Sequence, residues 1–268
     1  MVVVCGDVAA GDRSNDVNGH SRANTLVVAI AVALLASACA ATAPTPRPSP
    51  VTTAVPTPTP VLDPGVTALR AGTHALQVMG TGTYPSYTVI VPPGWFDLDS
   101  GRFVDQYPET GKPRPVLGLS VWDVGEVFRD PCHWQGQGFV PGPGVANLVA
   151  ALVAQKLRNA TTPTDVDLAG YAGKYLEWSV PADMKSSSWT SFDACDLDSD
   201  GVNRDFLSWL GNGTGDRYEE VPGQVDQLWV LDVKGHRLVV DATYSPGTPQ
   251  SDRAKLEAVV DSLRFGAP

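Results

Sequence analysis

The sequence predicts an α+β protein in which an antiparallel sheet is flanked by helices and follows a disordered Pro/Thr-rich tether. Three observations support this prediction. Short alternating apolar and polar segments recur from residue 86 onward, two segments have the apolar spacing of a helix, and prolines crowd residues 41–64. Alternation with period two is typical of strands, whereas apolar residues at i, i+3 and i+4 indicate a helix. The chain is therefore divided into an N-terminal region and a single globular domain, residues 65–268.

Residues 26–38 form an apolar segment that ends in small side chains. LVVAIAVALLASA has thirteen residues, fewer than the roughly 20 that a membrane-spanning helix needs. Its length and ending are typical of a signal peptide. Ala36-Ser37-Ala38 directly precedes Cys39 and resembles a bacterial lipobox, although the usual leucine is replaced by Ala36. This resemblance implies cleavage before Cys39 and lipidation of that cysteine, and plain secretion with cleavage near Ala38 is the alternative.

Residues 1–38 are therefore predicted to be a signal peptide. The protein is then exported and anchored by its lipid to the outer face of the cytoplasmic membrane. The first 20 residues contain three aspartates and one arginine, whereas a signal peptide should begin with a short positive region. We expect translation to begin at Val17, which leaves a shorter start containing Arg22.

Residues 39–64 are predicted to be the tether. Eight prolines lie between residues 41 and 64. Proline fixes φ and lacks an amide donor, so this segment forms neither a helix nor a strand ladder. An extended proline-rich spacer rises about 3.1 Å per residue, so these residues reach on the order of 70 Å.

The charge of the chain excludes one class of partner. The formal net charge is −10, whereas binding to nucleic acid phosphates requires clustered lysine and arginine. The same acidity disfavours direct contact with anionic lipid headgroups. We therefore expect a monomer that does not bind nucleic acid and that reaches the membrane only through its lipid.

Four segments are predicted as strands or strand pairs because they alternate and end at glycine or proline turns. They are 86–91, 117–124, 164–180 around a Gly170/Gly173 turn, and 227–244 around a Lys234-Gly235 turn.

Two helices are predicted. Residues 145–158 carry a stripe of apolar side chains and end in Lys156 and Arg158, where the helix dipole favours cations. The second helix is expected to have Thr248 as its N-cap and Pro249 as its first residue. The apolar positions are Val145, Leu148, Val149, Leu152 and Leu157 in the first helix, and Leu256, Val259, Val260 and Leu263 in the second.

The order of these elements over residues 84–265 resembles the PsbP-like α/β/α sandwich. The stretches VPPGW, LAGYAGKYLEW, DVKGHRLVV and VVDSLRF carry the resemblance. DPCHW and PGQVDQLWVLDV are similar to stretches of uncharacterised exported lipoproteins of actinobacteria. The resemblance implies an accessory or binding protein and supplies no catalytic residues.

Cys132 and Cys195 are the two cysteines of the predicted domain. Two cysteines in an exported domain most simply form one disulfide bond. A reactive thiol is the alternative, and it requires a catalytic or cytosolic setting.

Residues 196–201 read D-x-D-x-D-G, the first half of a calcium-binding loop. In such a loop the first, third and fifth residues supply carboxylates, the seventh a carbonyl and the twelfth a bidentate glutamate. Asp196, Asp198, Asp200 and Val202 fit these positions, but the twelfth is Leu207. The loop is therefore either a weak calcium site or a solvated acidic turn.

Three further residues are candidates for a site: His133 and Trp134 beside the expected disulfide, and Glu177 on a predicted strand. A histidine in that position could act as an acid, a base or a ligand, and a structural role is the alternative. No nucleophile or zinc motif is present. The favoured function is a binding or accessory module for an envelope protein or for a small ligand in an aromatic cleft. The alternatives are an envelope hydrolase that uses carboxylates or His133, and a calcium-stabilised domain.

Overall fold

The structure is a computed structural model that describes residues 66–98, 101–106, 117–188, 190–219 and 221–266. The predicted signal peptide, the lipidated Cys39 and the tether lie outside the described residues.

Seventeen strands and two helices are formed within these ranges. In chain order they are β1 (Thr67–Ala68), β2 (Gly72–Leu76), β3 (Tyr87–Val91), β4 (Phe96–Leu98), β5 (Phe103–Asp105), β6 (Leu117–Trp122), β7 (Val124–Phe128), β8 (Gly138–Phe139), α1 (Val145–Val153), β9 (Thr164–Leu168), β10 (Tyr171–Ser179), β11 (Ser186–Ser188), β12 (Ser191–Phe192), β13 (Leu207–Gly211), β14 (Asp216–Tyr218), β15 (Val225–Val233), β16 (His236–Tyr244), α2 (Gln250–Asp261) and β17 (Arg264–Phe265).

The strands form two sheets that matter for the site. The main sheet has eight strands in the order β1-β4-β5-β6-β16-β15-β10-β9, and the small sheet has four in the order β14-β13-β7-β8. Strands β17, β3 and β2 form a third sheet, and β11 pairs with β12. Neighbouring strands in all four sheets are antiparallel. The protein is therefore a sheet-dominated α+β fold, as the sequence predicts.

The predicted hairpins are confirmed. Strands β15 and β16 pair from Val225–Tyr244 to Val233–His236. Lys234 and Gly235 form the turn with φ of 55° and 83°, the positive values that a two-residue type I′ turn requires. Strands β9 and β10 turn at Ala169 and Gly170, and Gly173 lies inside β10 rather than in the turn.

The two helices contribute to different cores. Leu148 and Leu152 of α1 pack with Trp178 and Leu228 of the main sheet. The core that contains α2 holds Leu256, Val259, Val260 and Leu263, together with Leu119, Leu238 and Val240. Successive residues of β16 enter the two cores alternately, because side chains alternate between the faces of a strand.

The first helix is shorter than the sequence predicts. Helix α1 stops at Val153, and the following side chain, Gln155, donates hydrogen bonds to the carbonyls of Phe128 (2.8 Å) and Ser208 (2.6 Å). Leu157 has a φ of 57° and is 46% exposed, so it does not continue the apolar stripe. The helix ends here because these hydrogen bonds hold Gln155 in place of a further helical turn. Lys156 and Arg158 therefore lie beyond the helix rather than at its C-terminal end.

The N-cap of the second helix also differs from the prediction. Pro249 occupies the cap position and α2 begins at Gln250. Thr248 does not cap the helix, because its hydroxyl donates to the carbonyl of Ser245 at 2.8 Å.

The predicted strand 117–124 is two strands. Strand β6 ends at Trp122 in the main sheet, and β7 begins at Val124 in the small sheet. Asp123 lies between them, and its amide donates to the carbonyl of Met79 at 3.0 Å. The chain thus passes from one sheet to the other at a single residue, and the candidate site lies there.

Candidate functional site

The predicted disulfide bond is present. Cys132 and Cys195 are bonded and buried in a small core with Phe192 and Phe206. The amide of Asp196 donates to the carbonyl of Cys132 at 2.8 Å. The bond therefore fixes the start of the acidic loop against the segment that contains His133.

His133 and Asp196 are brought together by this crosslink. Nδ1 of His133 lies 3.4 Å from Oδ1 of Asp196, and the His133 side chain is 60% exposed. The other Asp196 oxygen accepts the amide of Gln135 at 3.0 Å. Trp134 packs edge-on against Phe128, with 5.9 Å between ring centroids. These contacts hold two chain segments together, and a functional role of His133 stays a prediction.

The acidic loop uses Asp198 to form a turn. Its carboxylate accepts the amides of Val202 (2.8 Å) and Asn203 (3.0 Å), and these donors lower its pKa. Gly201 has a φ of 70° within the turn, and Val202 is 72% exposed. Among the described residues, no three histidine, cysteine, aspartate or glutamate side chains are grouped closely enough to hold a metal ion. Calcium binding at Asp196, Asp198, Asp200 and Val202 therefore stays a prediction.

Glu177 lies in different surroundings, on β10 of the main sheet. The hydroxyl of Tyr175 donates to its carboxylate at 3.4 Å, and the same hydroxyl accepts a hydrogen bond from Gln227 at 3.3 Å. Tyr175 also contacts the ring of Trp229, with 5.0 Å between centroids. Glu177 thus belongs to a polar and aromatic row on β10 and β15. None of the residues that His133 contacts belongs to this row.

An open groove of about 670 Å³ lies on the outer face of the small sheet. It is lined by residues 123–126 and 210–216 together with Val140 and Arg237, and none of these is aromatic. The groove therefore differs from the aromatic cleft that the sequence suggests for a small ligand.

The floor of the groove is a row of three residues. Leu210 on β13 lies opposite Glu126 on β7 and opposite Asp216 on β14. The adjacent row, in which Trp209 is opposite Val127 and Arg217, faces the protein interior. Side chains alternate along strands, so the two carboxylates flank Leu210 on the outer face. Their Cα atoms are about 10 Å apart, which is two strand spacings.

The turn at residues 212–215 forms one wall. Asn212 donates through its side chain to Oδ2 of Asp123 at 3.0 Å, and its amide donates to the carbonyl of Asp123 at 2.8 Å. The hydroxyl of Tyr84 donates to the same Oδ2 at 2.7 Å. Burial, followed by this carboxylate, raises the pKa of Tyr84 to about 12. Gly213 has a φ of 75°, so glycine suits the turn that brings Asn212 to Asp123.

Arg237 also lines the groove, and its guanidinium donates two hydrogen bonds to backbone carbonyls. It donates to the carbonyls of Gly142 (2.5 Å) and Val124 (2.9 Å). Burial lowers its pKa, and Asp123 opposes this effect. Glu126 and Asp216 form no ion pair with any described residue. The groove therefore presents three carboxylates and one guanidinium. Asp123 accepts hydrogen bonds from Tyr84 and Asn212, whereas Glu126 and Asp216 form no ion pair with a described residue.

Behind the groove, five charged side chains form an ionic network between the small sheet and the main sheet. They are Arg158, Arg217, Glu219, Asp226 and Asp241, and each side chain is at most 9% exposed. Arg217 of β14 contacts Asp241 of β16 at 2.5 Å and Asp226 of β15 at 2.8 Å. Arg158 contacts Glu219 at 2.5 Å and stacks 4.2 Å from the Trp178 ring. The small sheet thus docks on the main sheet through buried ion pairs.

The pKa values in the network follow the contacts. Burial would raise the pKa of Asp226, but Arg217 and Arg158 outweigh it and the pKa is lowered. Burial raises the pKa of Asp241 to about 7, although Arg217 opposes the shift. Burial also raises the pKa of Glu219. Burial disfavours the charged form of Arg217, but the surrounding carboxylates raise its pKa well above the usual value.

None of the groove residues and none of the network residues was predicted to belong to a site, and Arg158 was expected only as a cation at the end of the first helix. One signal was present for the network: Asp226 and Asp241 interrupt apolar strands, in VDQLWV and LVVDATY. A charged residue in such a strand is buried only with a partner. Nothing in the sequence marked the groove carboxylates as site residues, because an outward-facing glutamate or aspartate is ordinary on a strand.

Among the described residues, no helix is long and apolar enough to cross a membrane. No protein-family model and no curated protein matches the chain.

Proposed function

We propose that this protein is a binding module of the cell envelope and that it binds its ligand in the groove on the small sheet. The observation that supports this proposal is the row of Glu126, Leu210 and Asp216 on the groove floor. Two unpaired carboxylates beside an accessible apolar side chain form a surface that can recognise charge and shape together.

The ligand suited to this surface carries ammonium groups joined by an aliphatic chain. The carboxylates outnumber the guanidinium in the groove, and Arg237 directs N–H groups to backbone carbonyls. Leu210 lies between the two carboxylates, and Val140 at the groove edge is 77% exposed. A linear polyamine or the lysine side chains of an envelope protein would supply this chemistry.

Titration calorimetry with spermidine and with a short lysine-rich peptide tests the proposal and separates the two sources. We expect one of them to bind the wild-type protein and to bind the Glu126→Gln/Asp216→Asn variant about tenfold more weakly, since each exposed pair contributes up to about 1 kcal/mol. Asp261→Asn, at an exposed position of α2, is the control and should leave affinity unchanged. Equal affinity of the two variants would refute the assignment of the groove.

The anchoring of this module is the second part of the proposal. The apolar segment 26–38 before Cys39 supports a lipoprotein, and the disulfide bond between Cys132 and Cys195 supports an oxidising compartment outside the cytoplasm. Labelled fatty acid should be incorporated covalently into the wild-type protein in cells and should not be incorporated into Cys39→Ser. Equal labelling of the two would contradict lipidation at Cys39.

For the fold, we propose the PsbP-like α/β/α arrangement. Its support is that α1 and α2 contribute to different cores and that successive β16 residues enter those cores alternately. An experimental structure that places both helices on one face of the main sheet would contradict it.

The groove also supports an envelope hydrolase as a second candidate. Glycosidases need two carboxylates across a cleft, with about 6.5–9.5 Å between the carboxyl groups of inverting enzymes. The carboxyl of Glu126 lies over Gly138 of β8, on the side away from Asp216. Glu126 would therefore have to change rotamer to bring the two carboxyl groups, whose Cα atoms are about 10 Å apart, to that separation. Release of reducing sugar from envelope glycans by the wild-type protein, and its loss in Glu126→Gln, would favour this candidate over binding alone.

A calcium-stabilised acidic loop is the remaining proposal. Both oxygens of Asp198 already accept backbone amides, so calcium would have to displace those contacts. A rise in melting temperature at millimolar calcium that is lost in Asp198→Asn would support the site, and an unchanged melting temperature would end the proposal.

A further inference from the structure

We propose that the ionic network is a pH-sensitive contact between the two sheets, which carries one proton on Asp241 below neutral pH and loses it above. The proposal is independent of the ligand assigned to the groove.

The charge count within the network requires such a proton. Three carboxylates, Glu219, Asp226 and Asp241, face two guanidinium groups, Arg158 and Arg217. All five side chains are at least nine-tenths buried. An unbalanced charge away from water is costly, and a buried acid avoids that cost by taking up a proton. With every group ionised the network would hold one excess negative charge.

The hydrogen bonds show where the proton resides. Asp226 accepts from Arg217 (2.8 Å), from Trp178 (2.7 Å) and from Thr243 (2.7 Å). Asp241 accepts from Arg217 through Oδ2, and its buried Oδ1 has no partner among the described residues. Donors stabilise a carboxylate, so Asp226 stays ionised and Asp241 is the carboxylate most readily protonated.

Glu219 is better supplied with donors than Asp241. Its Oε1 accepts from Arg158 (2.5 Å) and from Ser208 (2.8 Å), and its Oε2 accepts from Gln224 (2.5 Å). The pKa directions set Asp226 apart, since the two arginines lower its pKa, whereas burial raises the pKa of Asp241 to about 7 and also raises that of Glu219. The unpartnered Oδ1 of Asp241 is what distinguishes Asp241 from Glu219.

The described elements packed around Asp241 bring the charges of the network to this contact, and the next buried carboxylate on this face of the main sheet is Asp105 of β5, opposite Gly118. Strand β14 and the residue after it contribute Arg217 and Glu219, β15 contributes Asp226, and the segment after α1 contributes Arg158. On β6 the residue opposite Asp241 is the uncharged Ser120. Helix α1 has no titratable side chain.

The direction of the pH effect follows from linkage. An unfolded aspartate has a pKa of about 3.9, below the folded value of about 7 for Asp241. The stabilising contribution of the protonated form is therefore complete below about pH 4 and is lost as pH rises to about 7. Above that pH the excess negative charge weakens the docking of the small sheet.

The test compares the unfolding equilibrium of the wild-type protein with that of Asp241→Asn in urea between pH 5 and pH 8. Trp178, which donates to Asp226 and stacks on Arg158, reports the transition by fluorescence. One proton linked to unfolding changes the equilibrium constant about tenfold per pH unit. We expect the unfolding equilibrium constant of the wild-type protein to rise between pH 5 and pH 7. In Asp241→Asn the factor by which this constant rises should be at least about tenfold smaller. Asp261→Asn should keep the wild-type dependence.

The same pH dependence in Asp241→Asn and wild type would overturn the proposal. A carboxyl-carbon NMR titration of the wild-type protein tests it without any variant, and so covers the case in which Asp241→Asn does not fold. It should show a buried aspartate that titrates near neutral pH and that is distinct from Asp205. Titration of every other aspartate below about pH 5 would equally overturn the proposal.

Discussion

Replacing Arg217 with methionine tests whether the ionic network holds the small sheet in place. Methionine keeps most of the side-chain length but removes the charge and the donors. Arg217 contacts Asp241 at 2.5 Å, Asp226 at 2.8 Å and Glu219 at 3.5 Å, so the change leaves three buried carboxylates facing one guanidinium.

The expected loss of stability is large. Removing one partner of a buried ion pair costs about 3–5 kcal/mol, because the other charge stays buried without compensation. With a urea m-value of about 2–3 kcal/mol/M, the unfolding midpoint should fall by about 1–2 M. A stability above about 6 kcal/mol, within the usual range of about 5–15 kcal/mol, keeps the domain folded in water after that loss.

Urea unfolding of the wild-type protein, Arg217→Met and Arg70→Met measures the effect. Arg70 is exposed, so its replacement should change stability by less than about 0.5 kcal/mol. In Arg217→Met/Asp241→Asn one buried acid is also neutralised, and the combined loss should be smaller than the sum of the single losses by about 0.5–3 kcal/mol. If Arg217→Met is as stable as Arg70→Met, the network does not fix the small sheet.

Three further predictions concern the crosslink, the packing of the main sheet and the acidic loop. Changing Cys132 and Cys195 to serine opens a crosslink across 63 residues and should lower stability by about 4 kcal/mol in the chain-entropy model; thermal unfolding measures it, and an unchanged melting temperature would contradict the model. In Gly173→Ala the added Cβ would lie 2.2 Å from the carbonyl oxygen of Val230, and we expect a loss of about 1–3 kcal/mol in denaturant unfolding; a neutral effect would mean that the strands separate freely. Burial, and then the neighbouring carboxylates, raise the pKa of Asp205 to about 6, so its contribution to stability is lost as pH rises from about 4 to about 6. Asp205→Asn should reduce the decline in stability over that window, and an unaltered decline would refute the assignment.

Local sequence signals were sufficient for the two helices and for the three longest strands, β10, β15 and β16. The Lys234-Gly235 turn formed where the sequence placed it, because glycine readily adopts one of the two positive φ values that a two-residue type I′ turn requires. The crosslink between Cys132 and Cys195 also followed from the presence of two cysteines in a domain that is expected to be exported. The end of α1 did not follow from the sequence. The apolar spacing continues to Leu157, but the helix stops at Val153 and the side chain of Gln155 donates to two distant carbonyls.

The sequence by itself determined an antiparallel sheet-dominated domain with two helices and one disulfide bond, since period, turn chemistry and cysteine number are local or countable properties. Only the tertiary structure decided where the charged residues meet. Arg217 and Asp241 are 24 residues apart, and Arg158 and Glu219 are 61 apart; their pairing depends on how the small sheet docks on the main sheet. The groove likewise depends on strand register, which places Glu126 and Asp216 on either side of Leu210. Register is set by turn geometry and by the burial of one face, so strands far apart in the chain, such as β7 and β13, acquire theirs only when the faces pack.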